Sequence, residues 1–209
     1  MPSTRYPLIA QEGWPFILLC VGASIALWVK VDFVWALPVL VLLVFLILLF
    51  RDPHRDVPSA PLAVRSPVDG EIKVIEPTDK GLLVREAIRV VIKIDHTGAY
   101  TARSPIEGKL FDLRDNVSAG SRLLGHPGMW IHTDEGDDVV FLLRSRPFLP
   151  KPKAFLRYGE RVGIGQRCAY IRLASHAEVY LPGSAKMLVE VGDKVFTGTS
   201  CLATFKHNT

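Results

Sequence analysis

The sequence is poor in cysteine and has no clusters of basic residues, and both shortages narrow the range of functions. Three cysteines occur among the 209 residues, Cys20, Cys168 and Cys201, with no Cys-x-x-Cys pair. This number disfavours a disulfide framework, and the spacing disfavours a zinc site or other metal centre. No run of Lys or Arg exceeds two residues and the net charge is only +4. We therefore expect no nucleic-acid partner, and a mildly basic surface fits anionic lipid better.

The apolar residues are concentrated near the N-terminus, in two runs without charged residues. The first run covers residues 16–29 and the second residues 33–50, with Lys30, Val31 and Asp32 between them. In a helix the second run reaches roughly 27 Å, close to the hydrocarbon thickness of a bilayer. The second run therefore predicts a transmembrane helix. The first run is shorter, and predicts either a second short crossing or an interfacial helix.

We interpret these runs as a retained anchor. A cleaved signal peptide would have a basic start, a shorter apolar core and a small-residue cleavage site, whereas Glu12 precedes the first run and Arg51 follows the second. Arg51 and Arg55 favour the cytoplasmic side for the following domain by the positive-inside rule. The sequence thus predicts a helical hairpin in the cell (inner) membrane, with the bilayer as a partner and the soluble domain in the cytoplasm.

The remainder of the chain predicts a mainly β domain. Short β-like runs are separated by Gly and Pro, and no long amphipathic helical stretch occurs, which favours a barrel or sandwich. The predicted strands cover residues 71–75, 82–94, 139–143, 169–173, 178–181 and 202–205. The predicted organisation is an N-terminal tail (1–15), the anchor (16–50), a proline-containing linker (51–65) and the β domain (66–209).

Two short motifs each occur twice in the β domain. Ser66-Pro-Val-Asp-Gly-Glu-Ile is similar to Ser104-Pro-Ile-Glu-Gly-Lys-Leu, and residues 159–168 are similar to residues 192–201. This duplication predicts a repeated β unit. The Val-Gly-Asp-x-Val-x-x-Gly pattern at residues 191–198 resembles the turns of biotinyl and lipoyl carrier domains. That resemblance implies a duplicated hybrid-type fold and concerns the fold alone.

Four segments, in order, resemble phosphatidylserine decarboxylases of the short bacterial and archaeal form. They are Tyr6-Pro-x-x-x-x-Glu-Gly-Trp-Pro-Phe-Ile, Phe50-Arg-Asp-Pro-His-Arg-Asp-Val-Pro, Ser66-Pro-Val-Asp-Gly, and Ile171-Arg-Leu-Ala-Ser-His-Ala-Glu-Val-Tyr-Leu-Pro. Together they cover almost the whole chain. The resemblance implies a lyase of phospholipid biosynthesis, made as a zymogen, that converts phosphatidylserine to phosphatidylethanolamine. A membrane phospholipid is then the substrate.

The resemblance also implies a covalent cofactor that the chain makes from itself. In this family a serine hydroxyl attacks the preceding carbonyl, the ester is eliminated, and the new N-terminus loses ammonia to become a pyruvoyl group. This group is the electron sink for decarboxylation. Ser175 matches the serine, so cleavage is expected between Ala174 and Ser175. Asp69 matches the family's catalytic aspartate, which orients a basic histidine.

Three positions depart from the family pattern, one of them Ala102, which stands where the family has an asparagine. Ala174 occupies the place of a glycine, and Tyr100 occupies the place of the catalytic histidine. The added methyl group matters only if the backbone needs a positive φ or close packing. Tyrosine is a much weaker base than histidine at neutral pH. Tyr100 is nevertheless the residue that the resemblance places in the catalytic set.

Two hypotheses follow for function. The chain is either a working decarboxylase carrying a pyruvoyl group at Ser175, or an unprocessed, inactive homologue. The inactive homologue would bind lipid or act as a subunit of a membrane complex, and a homodimer is an alternative assembly. A third interpretation, a periplasmic adaptor or carrier domain, would need a long coiled-coil hairpin or a lysine at a hairpin tip, and neither is evident in the sequence.

Simpler structural interpretations compete with these roles. Asp69 before Gly70 is also typical of a tight turn, and its counterpart Glu107 has no expected role. Cys168 and Cys201 are expected to be small core residues.

The other histidines are poor replacements for the missing base. His176 would point away from Ser175 on an extended strand, and His96 would lie about 13 Å from Tyr100 along a strand. The sequence does not place His126 and His132.

Overall fold

The N-terminal apolar residues form two helices. The computed structural model describes residues 8–58, 62–78, 86–111 and 128–205. A short 3-10 helix, Gln11–Gly13, leads into α1 (Trp14–Lys30), and α2 follows at Phe33–Leu49. Pro15 lies in the first turn of α1, where the N–H that proline lacks would have no helical partner. Asp32 caps α2, because its carboxylate accepts a hydrogen bond from the Phe33 N–H at 2.6 Å.

The two ends of this hairpin meet. Ile9 and Arg51 form an antiparallel bridge, and the Ala10 N–H donates to the Phe50 carbonyl at 2.9 Å. Glycine is required at position 13, because a Cβ on Gly13 would lie 2.5 Å from Cγ of Phe50. The chain therefore returns after α2 to the end of the hairpin from which it started.

The two helices differ in length from the predicted runs. Among the described residues, the helical stretch Gln11–Lys30 is long and apolar enough to cross a membrane, and Phe33–Leu49 is a shorter apolar helix. The first run therefore forms the longer helical stretch, although the sequence predicted a transmembrane helix from the second run. The reason is local: the first helix starts before the charge-free run begins and continues to Lys30, whereas the second ends at Leu49.

The chain divides into two units. The first contains the residues up to His54 together with His96–Tyr100, and the second contains Arg55–Asp95 and Thr101 onwards. All strands of the described residues belong to the second unit. They are β1 (Ala63–Arg65), β2 (Gly70–Thr78), β3 (Ala87–Ile94), β4 (Thr101–Arg103), β5 (Gly108–Phe111), β6 (Gly128–His132), β7 (Asp138–Arg144), β8 (Lys153–Ala154), β9 (Arg161–Val162), β10 (Arg167–Tyr170), β11 (His176–Pro182), β12 (Lys186–Met187), β13 (Lys194–Val195) and β14 (Cys201–Thr204).

The strands form three antiparallel sheets. The largest has the order β13-β2-β3-β11-β7-β6-β5-β9, and the two smaller sheets are β1-β14-β12 and β4-β10-β8. Side chains from all three sheets share one apolar core. Alternation along β11 shows the pattern: Ala177, Val179 and Leu181 are in this core, whereas Glu178 and Tyr180 lie on the other face. The prediction of a mainly β domain is confirmed.

The repeated motifs occupy equivalent positions in the sheets. The hydroxyls of Ser66 and Ser104 each donate to the carbonyl two residues further on, at 2.7 and 2.6 Å. The N–H groups of Gly192 and Gly159 donate to β2 and β5 respectively, both at 2.8 Å. β13 pairs with β2 as β9 pairs with β5. The duplication in the sequence is therefore also a duplication of hydrogen bonding.

Several element ends differ from the prediction. The strand predicted over residues 169–173 ends at Tyr170, because Arg172 and Leu173 both have φ of +52°. β1 lies inside the predicted linker, so strand structure begins at Ala63 and not at Ser66. The first seven residues of the predicted tail, part of the run 82–94 and His126 lie outside the described residues.

Candidate active site

Ser175 lies immediately before β11, fixed by neighbouring strands. Its N–H donates to the Arg144 carbonyl at 2.7 Å, and its hydroxyl donates to the same oxygen at 3.1 Å. Its own carbonyl accepts from the Ile94 N–H at 3.2 Å. The side chain is partly buried. The position of the predicted nucleophile is therefore set by β3 and β7 on either side.

A tight turn precedes Ser175. The Ala174 N–H donates to the Ile171 carbonyl at 3.0 Å, closing a turn whose central residues are Arg172 and Leu173. Both have φ of +52°, a left-handed conformation that costs a side-chain-bearing residue about 1–2 kcal/mol. Two such residues in succession place backbone strain directly beside the predicted cleavage bond.

Ala174 is an ordinary backbone position. Its φ is not positive, and its methyl group is fully buried in the apolar core. The replacement of the family glycine by alanine therefore introduces no backbone strain at the predicted cleavage bond. The strain lies one and two residues earlier, at Leu173 and Arg172.

Asp69 is a buried carboxylate with several partners. It is 3% exposed, and both its oxygens accept hydrogen bonds from the two terminal nitrogens of Arg55, at 2.8 Å each. The Thr197 N–H donates to the same carboxylate at 2.7 Å. The Arg55 guanidinium lies 5.3 Å from the ring centroid of Phe196. These contacts fix the carboxylate in one orientation.

Asp69 differs in burial from its counterpart in the duplicated motif. Its counterpart Glu107 is exposed, although both residues precede a glycine that starts a strand. Each glycine is needed there, since a Cβ at Gly70 or Gly108 would lie 2.0 or 2.3 Å from a backbone carbonyl oxygen of the next strand. The close approach of the next strand explains both glycines, whereas the burial and the ion pair with Arg55 occur at Asp69.

Asp69 and Ser175 lie at the same end of the largest sheet. β2 begins after Asp69 and β11 begins after Ser175, and both strands pair with the end of β3. The Asp95 N–H donates to the Asp69 carbonyl at 2.9 Å, next to the Ile94 N–H that donates to Ser175. Two strand spacings, about 10 Å, therefore separate the two backbones.

Tyr100 belongs to the helical unit. Its hydroxyl donates to the Glu12 carboxylate at 3.0 Å, and its ring lies 4.9 Å from that of Phe50 between centroids. Its N–H donates to the Arg51 carbonyl at 2.9 Å. The residue at the family's histidine position is thus bound to the two ends of the helical hairpin.

Two other described histidines, His176 and His132, have environments apart from the Ser175 hydroxyl. His176 starts β11, and because Ala177 faces the core, its imidazole lies on the opposite face. His132 pairs with Asp138 at 2.8 Å across β6 and β7. Asp138 is at the far end of β7 from Arg144, about 20 Å along the strand, so His132 is remote from Ser175.

A buried ionic network lies beside Ser175 on the other face of the sheet. Glu178, 3% exposed, accepts hydrogen bonds from Arg144 at 2.6 Å, Arg89 at 3.0 Å and the Tyr180 hydroxyl at 2.9 Å. Burial opposes ionisation, but these hydrogen bonds outweigh it and lower the pKa of Glu178. Arg144 thus contacts Glu178 through its side chain and Ser175 through its carbonyl.

The cysteines and possible metal ligands have no evident role in this site. Cys168 is fully buried in the core, which raises the pKa of its thiol, and Cys201 is partly exposed. The three thiols form no disulfide. Among the described residues, no group of three His, Cys, Asp or Glu side chains is placed to hold a metal ion.

Sequence reasoning missed several residues of the site. It did not identify the ion pair of Arg55 with Asp69, the contact of Glu12 with Tyr100, the role of Arg144, or the strained turn. Arg55 and Glu12 both lie in segments that carry the family resemblance, which was the available indication. Nothing in the local sequence around Arg144 indicated that its carbonyl would bind Ser175.

Comparison with known proteins gives consistent relatives. The phosphatidylserine decarboxylase proenzyme of Nitrosomonas europaea is 32% identical over 212 residues, covering 98% of each chain. That of Nitrosomonas eutropha is also 32% identical and covers 98% of this chain and 100% of the relative. No protein-family model matches. A glucose permease IIA from Mycoplasma capricolum superposes with a TM-score of 0.49 and 16% identity, over 69% of this chain and 96% of the other.

Proposed function

The chain belongs to the phosphatidylserine decarboxylase family, and from that premise we propose that it is a membrane-bound, self-processing decarboxylase acting on phosphatidylserine. The observation that carries the proposal is the placement of Ser175 and Asp69 at one end of a sheet, on two strands that flank β3. The expected product is phosphatidylethanolamine.

Ser175 is suited to become a pyruvoyl group. Its hydroxyl is next to the Ala174 carbonyl in sequence, and both residues are held by backbone hydrogen bonds. A pyruvoyl group at this position would withdraw electrons from the substrate's α-carbon as CO₂ leaves. The carbonyl of Arg144 orients the Ser175 hydroxyl. The strained turn raises the energy of the intact chain beside the bond to be broken.

Asp69 is proposed to act from its fixed position beside Arg55. The ion pair fixes the position of the Asp69 carboxylate at the sheet end where the new chain terminus forms. A buried, oriented carboxylate of this kind can stabilise positive charge that develops during proton transfer. Tyr100 is proposed to occupy the histidine position of the family without supplying an equally strong base.

The fold and location form part of the same proposal. The duplicated hydrogen bonding around one core supports a hybrid-type β-sandwich or barrel. The apolar, outward-facing helices support insertion in the cell membrane, and Arg51 and Arg55 support a cytoplasmic β domain. Protease digestion of sealed inside-out and right-side-out vesicles tests the orientation, since only inside-out vesicles should expose the β domain.

The intact mass of the full chain purified from membranes tests the proposal. Processing should give residues 1–174 and a fragment 175–209 that lacks the mass of one ammonia. A Ser175→Ala variant should remain whole, and Ser184→Ala, in an exposed turn, should be cut like the wild type. The wild type and the Ser184→Ala variant should release CO₂ from phosphatidylserine, and the uncut Ser175→Ala variant should not.

A single uncut wild-type chain would contradict this proposal and favour the inactive homologue, a lipid-binding or assembly subunit. The hydrogen bond from Tyr100 to Glu12 is the observation that favours that second function, because it engages the residue at the histidine position in a structural contact. Cross-linking of the uncut chain in its membrane would then distinguish a homodimer from a subunit of a larger complex.

A further inference from the structure

The segment between β7 and Gly159, residues 145–158, has basic but no acidic residues and is called the basic loop, although it includes the two-residue strand β8. It carries Arg146, Lys151, Lys153 and Arg157, all exposed, and contains no Asp or Glu. The other Lys and Arg residues of the chain equal the 21 Asp and Glu residues in number. The net positive charge of the protein is therefore accounted for by this one segment.

The basic loop also exposes large apolar side chains. Phe148 is 98% exposed, at the tip of a turn closed by a hydrogen bond from the Leu149 N–H to the Arg146 carbonyl at 3.1 Å. Phe155 and Tyr158 are 41% and 49% exposed. An aromatic ring left in water at a defined turn, among cations, is typical of segments that enter the headgroup region of a bilayer.

The basic loop is attached to the processing site. It begins directly after Arg144, whose carbonyl binds Ser175. Arg172, in the strained turn, donates to the Lys151 carbonyl at 3.3 Å. The next turn residue, Leu173, is partly exposed and apolar. Cationic and apolar groups thus continue from the basic loop to the residues that precede Ser175.

We propose that the basic loop binds the surface of an anionic phospholipid bilayer, with Phe148 inserted among the headgroups and Arg146, Lys151 and Lys153 near the lipid phosphates. Charge complementarity selects this occupant, because each Lys or Arg near an anionic surface strengthens attachment about fivefold. The contact goes beyond the proposed function, since it requires neither chain cleavage nor decarboxylation. It presents the side of the β domain that contains Ser175 to the lipid surface.

The test places an environment-sensitive fluorophore on Phe148→Cys in the full chain, with Cys201→Ser to remove the partly exposed native thiol. Ser184→Cys in the same background is the control, because Ser184 lies in an exposed turn outside the basic loop. Both proteins are reconstituted in vesicles of phosphatidylcholine alone, or of phosphatidylcholine and phosphatidylglycerol in equal amounts.

The label at position 148 should show a blue-shifted emission and at least about fivefold protection from aqueous quencher in the anionic vesicles only. Replacing Arg146, Lys151 and Lys153 together by Gln should remove the shift, as should high salt. Equal responses at positions 148 and 184, or a shift at 148 that ignores lipid charge, would overturn the proposal. A shift that appears only when another protein is added would also overturn it, in favour of a protein partner.

This result can be separated from that of the proposed function. The same labels are placed in the Ser175→Ala chain, which should remain uncut and yet show the shift at position 148. Intact mass reports processing and fluorescence reports lipid contact, so either can fail while the other succeeds.

Discussion

Arg55 donates two parallel hydrogen bonds of 2.8 Å to the carboxylate of Asp69. This ion pair joins the segment that follows the helical hairpin to the first repeated motif of the β domain. Such bidentate pairs are among the stronger polar contacts in proteins, and they fix direction as well as distance. The Asp69 side chain is 4% exposed, so solvent screens this pair less than it would a pair on the surface.

Asp69→Asn should destabilise the protein, because the amide leaves the Arg55 guanidinium without a charged partner. We expect the free energy of unfolding to fall by about 1.5–3 kcal/mol. Urea unfolding of the full chain in detergent measures this loss of unfolding free energy. Asp134→Asn is the matched control: its exposed pair with Arg161 should be worth less than about 1 kcal/mol. Equal losses in both variants would contradict the special role of the Arg55–Asp69 pair.

Tyr100→His should accelerate self-cleavage, since it restores the residue that serves the family as a base. A positioned general base contributes about 10² to 10⁴ in rate, so a gain of at least about tenfold is expected. Mass spectrometry of newly made protein at successive times, which measures the conversion of whole chain to fragments, gives the rate of self-cleavage. Tyr158→His, at an exposed tyrosine in the basic loop, should leave it unchanged. No gain at position 100 would show that this position does not limit processing.

Glu178 should make stability depend on pH in the acid range. Its pKa is lowered in the folded protein from an ordinary value of 4.5, so its ionised form stabilises the fold above that pH. The contribution is lost as the pH falls through the lower, folded value. Glu178→Gln should therefore cost about 1.5–3 kcal/mol at pH 7, and the difference from wild type should shrink below about pH 4.5.

Urea unfolding of both proteins between pH 7 and pH 3 measures this dependence. Glu107→Gln, at an exposed position of the repeated motif, should match the wild type throughout. A difference for Glu178→Gln that stays constant with pH would show that the lost contacts do not depend on the charge of the carboxylate.

Leu173→Gly should relieve strain in the turn before Ser175. Leu173 has φ of +52°, where glycine is free of the steric cost that other residues bear. Leu188→Gly is the control, because Leu188 is also partly exposed but does not have a positive φ. The free energy of unfolding of the Leu173→Gly variant should exceed that of the Leu188→Gly variant by about 1–2 kcal/mol. Similar losses at both positions would show that the turn carries no strain.

Much of the architecture could be predicted because it depends on local patterns. The charge-free runs on either side of Lys30–Asp32 predicted two helices, and alternating short runs predicted strands. The paired Ser-Pro motifs predicted the duplication, since a repeated motif in the chain makes repeated hydrogen bonds. The aspartate and serine of the candidate site followed from a family resemblance, which the relatives confirm at the level of the family.

The local sequence pattern could not predict contacts between residues that are far apart in the chain. The hydrogen bond from the Thr197 N–H to Asp69 joins residues 128 positions apart, and that from Tyr100 to Glu12 joins residues 88 apart. Glu178 resembles an exposed strand residue in sequence, and only the adjacent strands supply Arg89 and Arg144 to its buried carboxylate.

The amino-acid sequence by itself determined the two apolar helices, the β class and the duplication, because periodicity and motif spacing act within a few residues. The candidate nucleophile came from the resemblance of its segment to a known family. The tertiary structure alone decided which partners hold Asp69 and Ser175, and where the strand before Ser175 ends. Those outcomes depend on strand order and register, because the register of two paired strands decides which residues from distant parts of the chain lie opposite each other.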